Sequence, residues 1–453
     1  MTIEEETHEN VSGRGALMGT TTQEKIIRWF TGWKASLLLM IPIMVLGFIP
    51  SINQLFVDRL LSGLGGNVIN VAGQLEWFDL IDETLVAFLI VPMYFILNKT
   101  LGKKEEMRER ISNTFLLGFL LYAAFSVGVF LYASSLSVYM NAPPDSVLYL
   151  RLETIGFVMG FVFSFIYVVL VVRGKWEYFV PLIVIKVAIM ITGNVFLIPE
   201  YGVLGVAYTN IISNAIMSIV ALVLLHRERL LSKPKLSFKV LKDWGRVGMF
   251  SGGEIFLNNL IYMVIVVMMI NDVSSAGNYW LANNFIWGWL LIPIIALSEI
   301  IRRDYEQGYL RVRRYLQFVL MVIGIWLLSV PLWSIMFENV IVANDPQAIL
   351  NILYIAMPFY VVYAVSTVFY NIFVATGRTH FNFIISIIVN IGYYGIVYGL
   401  YLLGYFEPTV DFIIMMFGFG MVVNAIISVI FYIFSRKKII EKIQEKGDVI
   451  TSQ

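Results

Sequence analysis

Cysteine is absent from the 453 residues, so disulfides and thiol redox chemistry are excluded. Charge is scarce: Asp, Glu, Lys and Arg make up 14%, against about a quarter in soluble domains. Histidine occurs three times, as His8, His226 and His380. None has metal-ligand spacing or a thiol partner, so no metal site is expected. No P-loop is present, so ATP would not drive the protein directly. No nucleophile–base spacing argues for an enzyme. The first 35 residues are polar and acidic at the start, so no cleavable signal peptide is expected. Apolar side chains are abundant instead, at 59% hydrophobic and 15% aromatic.

That balance predicts an all-α integral membrane protein. A bilayer core about 30 Å thick takes about 20 apolar residues per helix. Twelve stretches qualify: 36–57, 75–97, 113–137, 147–172, 179–198, 203–225, 247–270, 279–300, 316–338, 349–374, 381–404 and 411–434. A spanning barrel would show short alternating segments, and none is visible.

Basic residues collect in alternate connections. By position, 29 of the 32 lie in the tails and even-numbered loops; the others are Arg59 beside the first span, and Arg151 and Lys186 within spans. The positive-inside rule places both termini in the cytoplasm of a multi-pass cell-membrane protein. Topology accounts for these charges, and no nucleic-acid partner is expected.

The segment 21–36 reads as an interfacial helix, with Ile26, Ile27, Trp29, Phe30 and Trp33 able to share one face. Residues before it, and those after about 447, read as disordered. A basic linker, 226–246, divides a six-span lobe (36–225) from a second (247–434), with cytoplasmic tails at 1–35 and 435–453. Arg173-Gly174-Lys175 recurs as Thr376-Gly377-Arg378, and Ser213-Asn214-Ala215-Ile216-Met217-Ser218 as Val423-Asn424-Ala425-Ile426-Ile427-Ser428, at offsets of 203 and 210. An even number of spans per half predicts parallel-topology repeats around a central cavity. Chance similarity between apolar helices is the alternative.

The best-defined stretch is Tyr149–Leu225. It holds a Gly-basic turn, an Asn-containing fifth span and Gly202-Val203-Leu204-Gly205-Val206-Ala207-Tyr208-Thr209 opening the sixth. The first span runs from Pro42 to Asp58, and the seventh begins Gly-Met-Phe-Ser-Gly-Gly-Glu, with Phe250 in place of a usual proline. On these motifs the chain resembles the multidrug and toxic compound extrusion (MATE) family, within a larger group that includes oligosaccharide-lipid flippases. The resemblance implies a monomeric secondary transporter that exports small organic solutes, cations among them, by alternating access. It would be coupled to H+ or Na+, with no cofactor and with lipid as its other partner. A flippase for a lipid-linked, anionic saccharide is the alternative.

The resemblance also assigns coupling roles. Asp58 would be the first-lobe carboxylate, with Asn194 and Thr209 nearby, and Glu254 the second-lobe carboxylate. Three departures stand out. The Pro42–Asp58 interval is one residue longer than the family pattern, Met190 replaces a second asparagine, and Val365-Ser366-Thr367 lacks a partnering aspartate. Interhelical hydrogen bonding is the other reading of Asn194 and Thr209.

An ionisable group in hydrocarbon costs about 2.5–3.5 kcal/mol on insertion scales, so it faces a cavity or a partner. Glu76, Asp79, Asp82 and Glu83 form a stripe at helical spacing. It reads either as a proton-loading, cation-attracting wall or as a hydrated vestibule; Asp82 and Glu83 are assigned to the substrate cavity. Glu153 and Glu299 are further intramembrane candidates. Lys186, near mid-span, would pair with Glu153 or Asp58, or bind an anionic substrate. On the eighth span Asn283, Asn284 and Trp287 are expected to line the cavity, with Trp280 an interfacial anchor. Pro42, Pro50, Pro92, Pro181, Pro293 and Pro358 mark possible bends.

Overall fold

The computed structural model describes residues 22–74, 76–98, 103–142, 146–173, 175–230, 238–273, 276–306 and 308–451. These are helical with short connections, and no strand occurs among the described residues. A helix satisfies its own backbone polar groups where no water can. The helices are α1 (Thr22–Gly63), α2 (Gly66–Gln74), α3 (76–98), α4 (Lys104–Tyr139), α5 (Ser146–Val172), α6 (Trp176–Tyr201) and α7 (Val203–Arg227). After the linker come α8 (238–272), α9 (276–306), α10 (Val312–Ile341), α11 (Pro346–Ala375), α12 (Thr379–Leu402) and α13 (Val410–Thr451).

Ten of these are long and apolar enough to cross a membrane, and the bent α9 makes eleven. The helix α3 occupies the remaining predicted stretch, 75–97, but it carries the acidic stripe and is not among those eleven. The short α2 was not expected; its nine residues, GNVINVAGQ, carry too little hydropathy to be counted. It packs on α9, with Gly73 against the Ala276 carbonyl.

Three expectations change. The surface helix at 21–36 is continuous with the first span in the 42-residue α1; its side chains, and residues 1–21, lie outside the described residues. The helix α13 runs on to Thr451, past the expected onset of disorder. The helix α4 begins at Lys104, where 113 was expected, because hydropathy detects only the lipid-embedded part. Its solvated start is supported by an exposed pair of Arg108 with Glu105 (3.2 Å) and a half-buried pair of Arg110 with Glu106 (2.8 Å). Part of the linker, 231–237, lies outside the described residues.

The two halves repeat in detail. Lys175 donates its backbone N–H to the Leu170 carbonyl, and Arg378 donates to Phe373, 203 positions on. The extensive α5–α7 contact of the first half has its equivalent in the α11–α13 contact of the second. In α3 a π segment, Val86–Ile90, precedes Pro92; in α9 a π segment, Ile286–Leu290, precedes Pro293. Proline lacks the N–H for the carbonyl four residues back and crowds it, so a wider turn forms before it. At Pro293 the helix also bends by 42°. Pro181 and Pro358 sit inside α-helices.

The halves meet along α1–α9 and α3–α8. Gly47 lies against Ile292, Gly288 against Ser51 and Gly252 against Phe88. These are the first–eighth and second–seventh spans, which exchange when the halves are swapped, as parallel repeats require. One apolar cluster is built from α3 to α7 with Trp244. Another is built mainly from α8 to α13, but it also buries Met40, Val57 and Leu61 of α1. The first span is therefore shared between the halves.

Candidate functional site

Asp58 is buried in α1 near the end remote from the basic connections. Its Oδ1 accepts hydrogen bonds from Gln54 Nε2 (2.9 Å) and from Asn284 Nδ2 of α9 (3.3 Å). The second bond crosses between the halves. No basic side chain forms an ion pair with Asp58 among the described residues. The neighbouring Arg59 points outward and donates to the Val340 carbonyl at 2.6 Å. Asn344 donates to the Ser62 carbonyl at 3.3 Å. These bonds close the same end of the α1 interface.

Asn194 and Thr209 are buried on α6 and α7, and Gly193 lets Thr209 pack tightly against α6. Asn194 donates to Asn53 Oδ1 at 3.2 Å, and no hydrogen bond joins it to Asp58 among the described residues. Asn194 Oδ1, Thr209 Oγ1 and Ser213 Oγ are buried with no hydrogen-bond partner. Buried polar groups are normally satisfied, so three orphans in one region are notable. Neutral oxygens of this kind suit a hard monovalent cation by the rule that governs calcium and magnesium. Asn53 and Gln54 were missed from the sequence, although two adjacent amides in an apolar span are the signal that could have found them.

Glu254 is buried on α8, and its partner is the hydroxyl of Tyr370 on α11. The tenth span, which lacks the aspartate, thus supplies a neutral donor one turn further on. A turn along α8, Asn258 Oδ1 accepts from Ser386 Oγ and from Asn390 Nδ2, both at 2.6 Å. Asn390 lies in a π segment of α12 (Ile388–Tyr394), a feature frequent at functional sites. Tyr370, Asn258, Ser386 and Asn390 were also missed. An Asn one helical turn after Glu254 was legible; the tyrosine was not, among 24 in the chain.

The acidic stripe divides. Glu83 is held at the interface by Asn259 Nδ2 of α8 at 3.0 Å. Asp79 is exposed and Asp82 half-buried, while both act electrostatically on the buried Glu153 of α5. Exposed carboxylates within reach of buried groups on other helices line an open space between those helices. Glu76 has no described side chain. Glu153 accepts from Asn210 Nδ2 at 2.9 Å and bonds Tyr149. Lys186 is half-buried, with Nζ 4.9 Å from the Phe163 ring centroid. The expected pairing with Glu153 or Asp58 is not what the structure shows: Asp82 is the carboxylate that acts on Lys186, because the α6 face bearing Lys186 looks towards α3 and α5. Arg151 lies 5.4 Å from the Phe130 ring. Glu299 is taken up by Arg302 at 2.6 Å.

Trp280 is buried in the second-half core. The anchor expectation fails because α2 and the neighbouring helices cover this end of α9. Trp287 is 40% exposed and meets Tyr360 and Tyr363 edge-on at 6.4 and 5.8 Å. Asn283 lines a pocket between α9, α11 and α13 with Tyr279, Tyr360, Phe417 and Met421. Asn284 faces Asp58 instead.

No protein-family model matches the sequence, and no curated protein sequence matches it. Solved structures do. An inward-facing multidrug resistance MATE family transporter of the MOP superfamily superposes with a TM-score of 0.70 at 17% identity, over 89% of this chain and 98% of that one. The chain has the MATE transporter fold. An outward-facing MATE structure gives 0.64 at 17% identity, over 89% and 95%. A MOP superfamily transporter from Pyrococcus furiosus gives 0.65 at 18%, over 88% and 94%; it is described as having a binding pocket of reverse polarity that suggests a different function. At these identities the MATE likeness fixes the architecture: a multi-pass helical membrane protein.

Proposed function

We propose that the protein is a secondary active transporter that exports organic cations by alternating access, coupled to H+ or Na+ through Asp58 and Glu254. One observation carries the reading. Each half buries carboxylates that are bonded only by neutral partners: Gln54 and Asn284 for Asp58, Asn210 and Tyr149 for Glu153, and Tyr370 for Glu254. Of these, Asp58 bonds across the two halves and Glu254 is its counterpart in the second half. A buried charge without a counter-ion is costly, so such a group takes up a proton or a cation and releases it when the site opens to water. Near Asp58, the free oxygens of Asn194 and Thr209 offer further ligands. MATE structures of this fold are known facing both inward and outward, which supports exchange between two states.

The cavity chemistry favours a cationic solute. Asp79, Asp82 and Glu153 outnumber Lys186 in the first half, and Trp287 with its tyrosines offers ring faces in the second. For a lipid-linked anion, the alternative, Lys186 is the favourable feature, and its carboxylate surroundings outweigh it. Purified protein in liposomes loaded with ethidium, given a proton or sodium gradient, tests the reading. Gradient-driven flux in the native chain, lost in Asp58→Asn or Glu254→Gln, is expected. Equal flux in all three removes the coupling role, and lipid reorientation without ethidium flux replaces the reading with the flippase.

A further inference from the structure

Lys186 is the eleventh of 26 residues in α6, too deep for its ammonium to reach either interface easily. A charge in a helix centre is costly, and one cation–π contact such as that with Phe163 offsets only part of that cost. Asp82 is the carboxylate whose charge also reaches the ammonium. Yet the two form no ion pair within contact distance, and Asp82 accepts no hydrogen bond among the described residues. Glu153, by contrast, is already satisfied by Asn210 and Tyr149. The result is a flexible ammonium resting on an aromatic ring beside a carboxylate that has no direct partner. Behind this site lies an aromatic core, where Tyr122 meets Phe161 at 4.7 Å and Phe157 at 4.9 Å with tilted rings.

We propose that Lys186 is a tethered occupant of the first-half cavity, its ammonium holding between Phe163 and Asp82 the place that a transported organic cation takes. This rests on the cation-export reading and adds a competitor built into the chain. A substrate must displace the lysine, so cations that offer only a small ammonium gain little over it. Flat aromatic cations, which cover more of the Phe163 ring than an ammonium does, displace it. Lys186 would thus set both the threshold of affinity and the preference for aromatic cations.

Equilibrium binding of ethidium to the purified full chain in detergent, read by fluorescence anisotropy, tests this. Lys186→Gln should tighten ethidium binding about tenfold, equivalent to about 1.4 kcal/mol, and Lys186→Arg should leave it near native. Butylammonium, a copy of the lysine side chain, should compete with ethidium at lower concentration in Lys186→Gln than in the native chain. Lys186→Met serves where the glutamine variant does not purify as a single species. Native binding with no gain in either variant overturns the tethered-occupant inference and leaves cation export standing. Binding to neither the native chain nor the variants overturns both.

Discussion

Asp58 lets charge be separated from geometry. It accepts two hydrogen bonds, from Gln54 and Asn284. Asn keeps one oxygen to accept both, while the charge goes and the second oxygen becomes an amide donor. Asp58→Asn should therefore melt at or above the native temperature in a detergent thermal scan while losing coupled flux. Asp58→Ala should melt lower, because each buried donor left unsatisfied costs about 1–3 kcal/mol. A melting temperature equally lowered in both would mean that the charge itself stabilises the fold. Glu254 invites a double-mutant cycle with Tyr370. A hydrogen bond to a charged group contributes about 1.5–3 kcal/mol, so Tyr370→Phe should destabilise the native chain measurably and the Glu254→Gln background less. Additive losses would show that the hydroxyl does not act through the carboxylate.

Among the elements, the long apolar runs were legible, because a lipid solvent enforces one helix per run of about 20 apolar residues. What hydropathy could not show was how those helices deform and meet. The π segments before Pro92 and Pro293 follow from proline chemistry, but the size of the 42° bend at Pro293 does not. Candidate residues could be picked out where a charge stands in an apolar run, as at Asp58 and Glu254, whereas Asn194 was indicated by the family resemblance. Their partners could not: Asn284 meets Asp58 across 226 positions, and Tyr370 meets Glu254 across 116. The same limit hid the interface glycines. At Gly252 a Cβ would stand 2.5 Å from Phe88 Cγ and 2.9 Å from its Cα, and the backbone cannot yield as a side-chain tip would. Gly252→Val should cost about 1–3 kcal/mol by overpacking, read as a lower melting temperature. An unchanged melt would show that α3 and α8 do not approach so closely.

For the whole molecule, the account requires the two six-helix halves to separate and rejoin along α1–α9 and α3–α8. The interface carries few direct polar bonds at the Asp58 end: Asp58 to Asn284, Arg59 to the Val340 carbonyl and Asn344 to the Ser62 carbonyl. The last two bonds are small next to the apolar burial around them, so Arg59→Ala should shift the balance of states rather than unfold the chain. Spin labels placed across that end should report a longer mean separation in Arg59→Ala than in an otherwise identical native-background pair. An unchanged distance distribution would remove Arg59 from the closure.

The absence of cysteine makes that motion directly testable. A Cβ at Gly288 would lie 3.5 Å from Ser51 Cβ, within the range of about 3.5–4.5 Å for a disulfide. The decisive measurement is ethidium flux in liposomes by a Ser51→Cys, Gly288→Cys chain, before oxidation, after oxidation and after reduction. The account predicts gradient-driven flux in the reduced protein, loss to the leak of empty liposomes once mass spectrometry shows the cross-link, and recovery on reduction. Undiminished flux through the cross-linked chain would contradict alternating access between these halves.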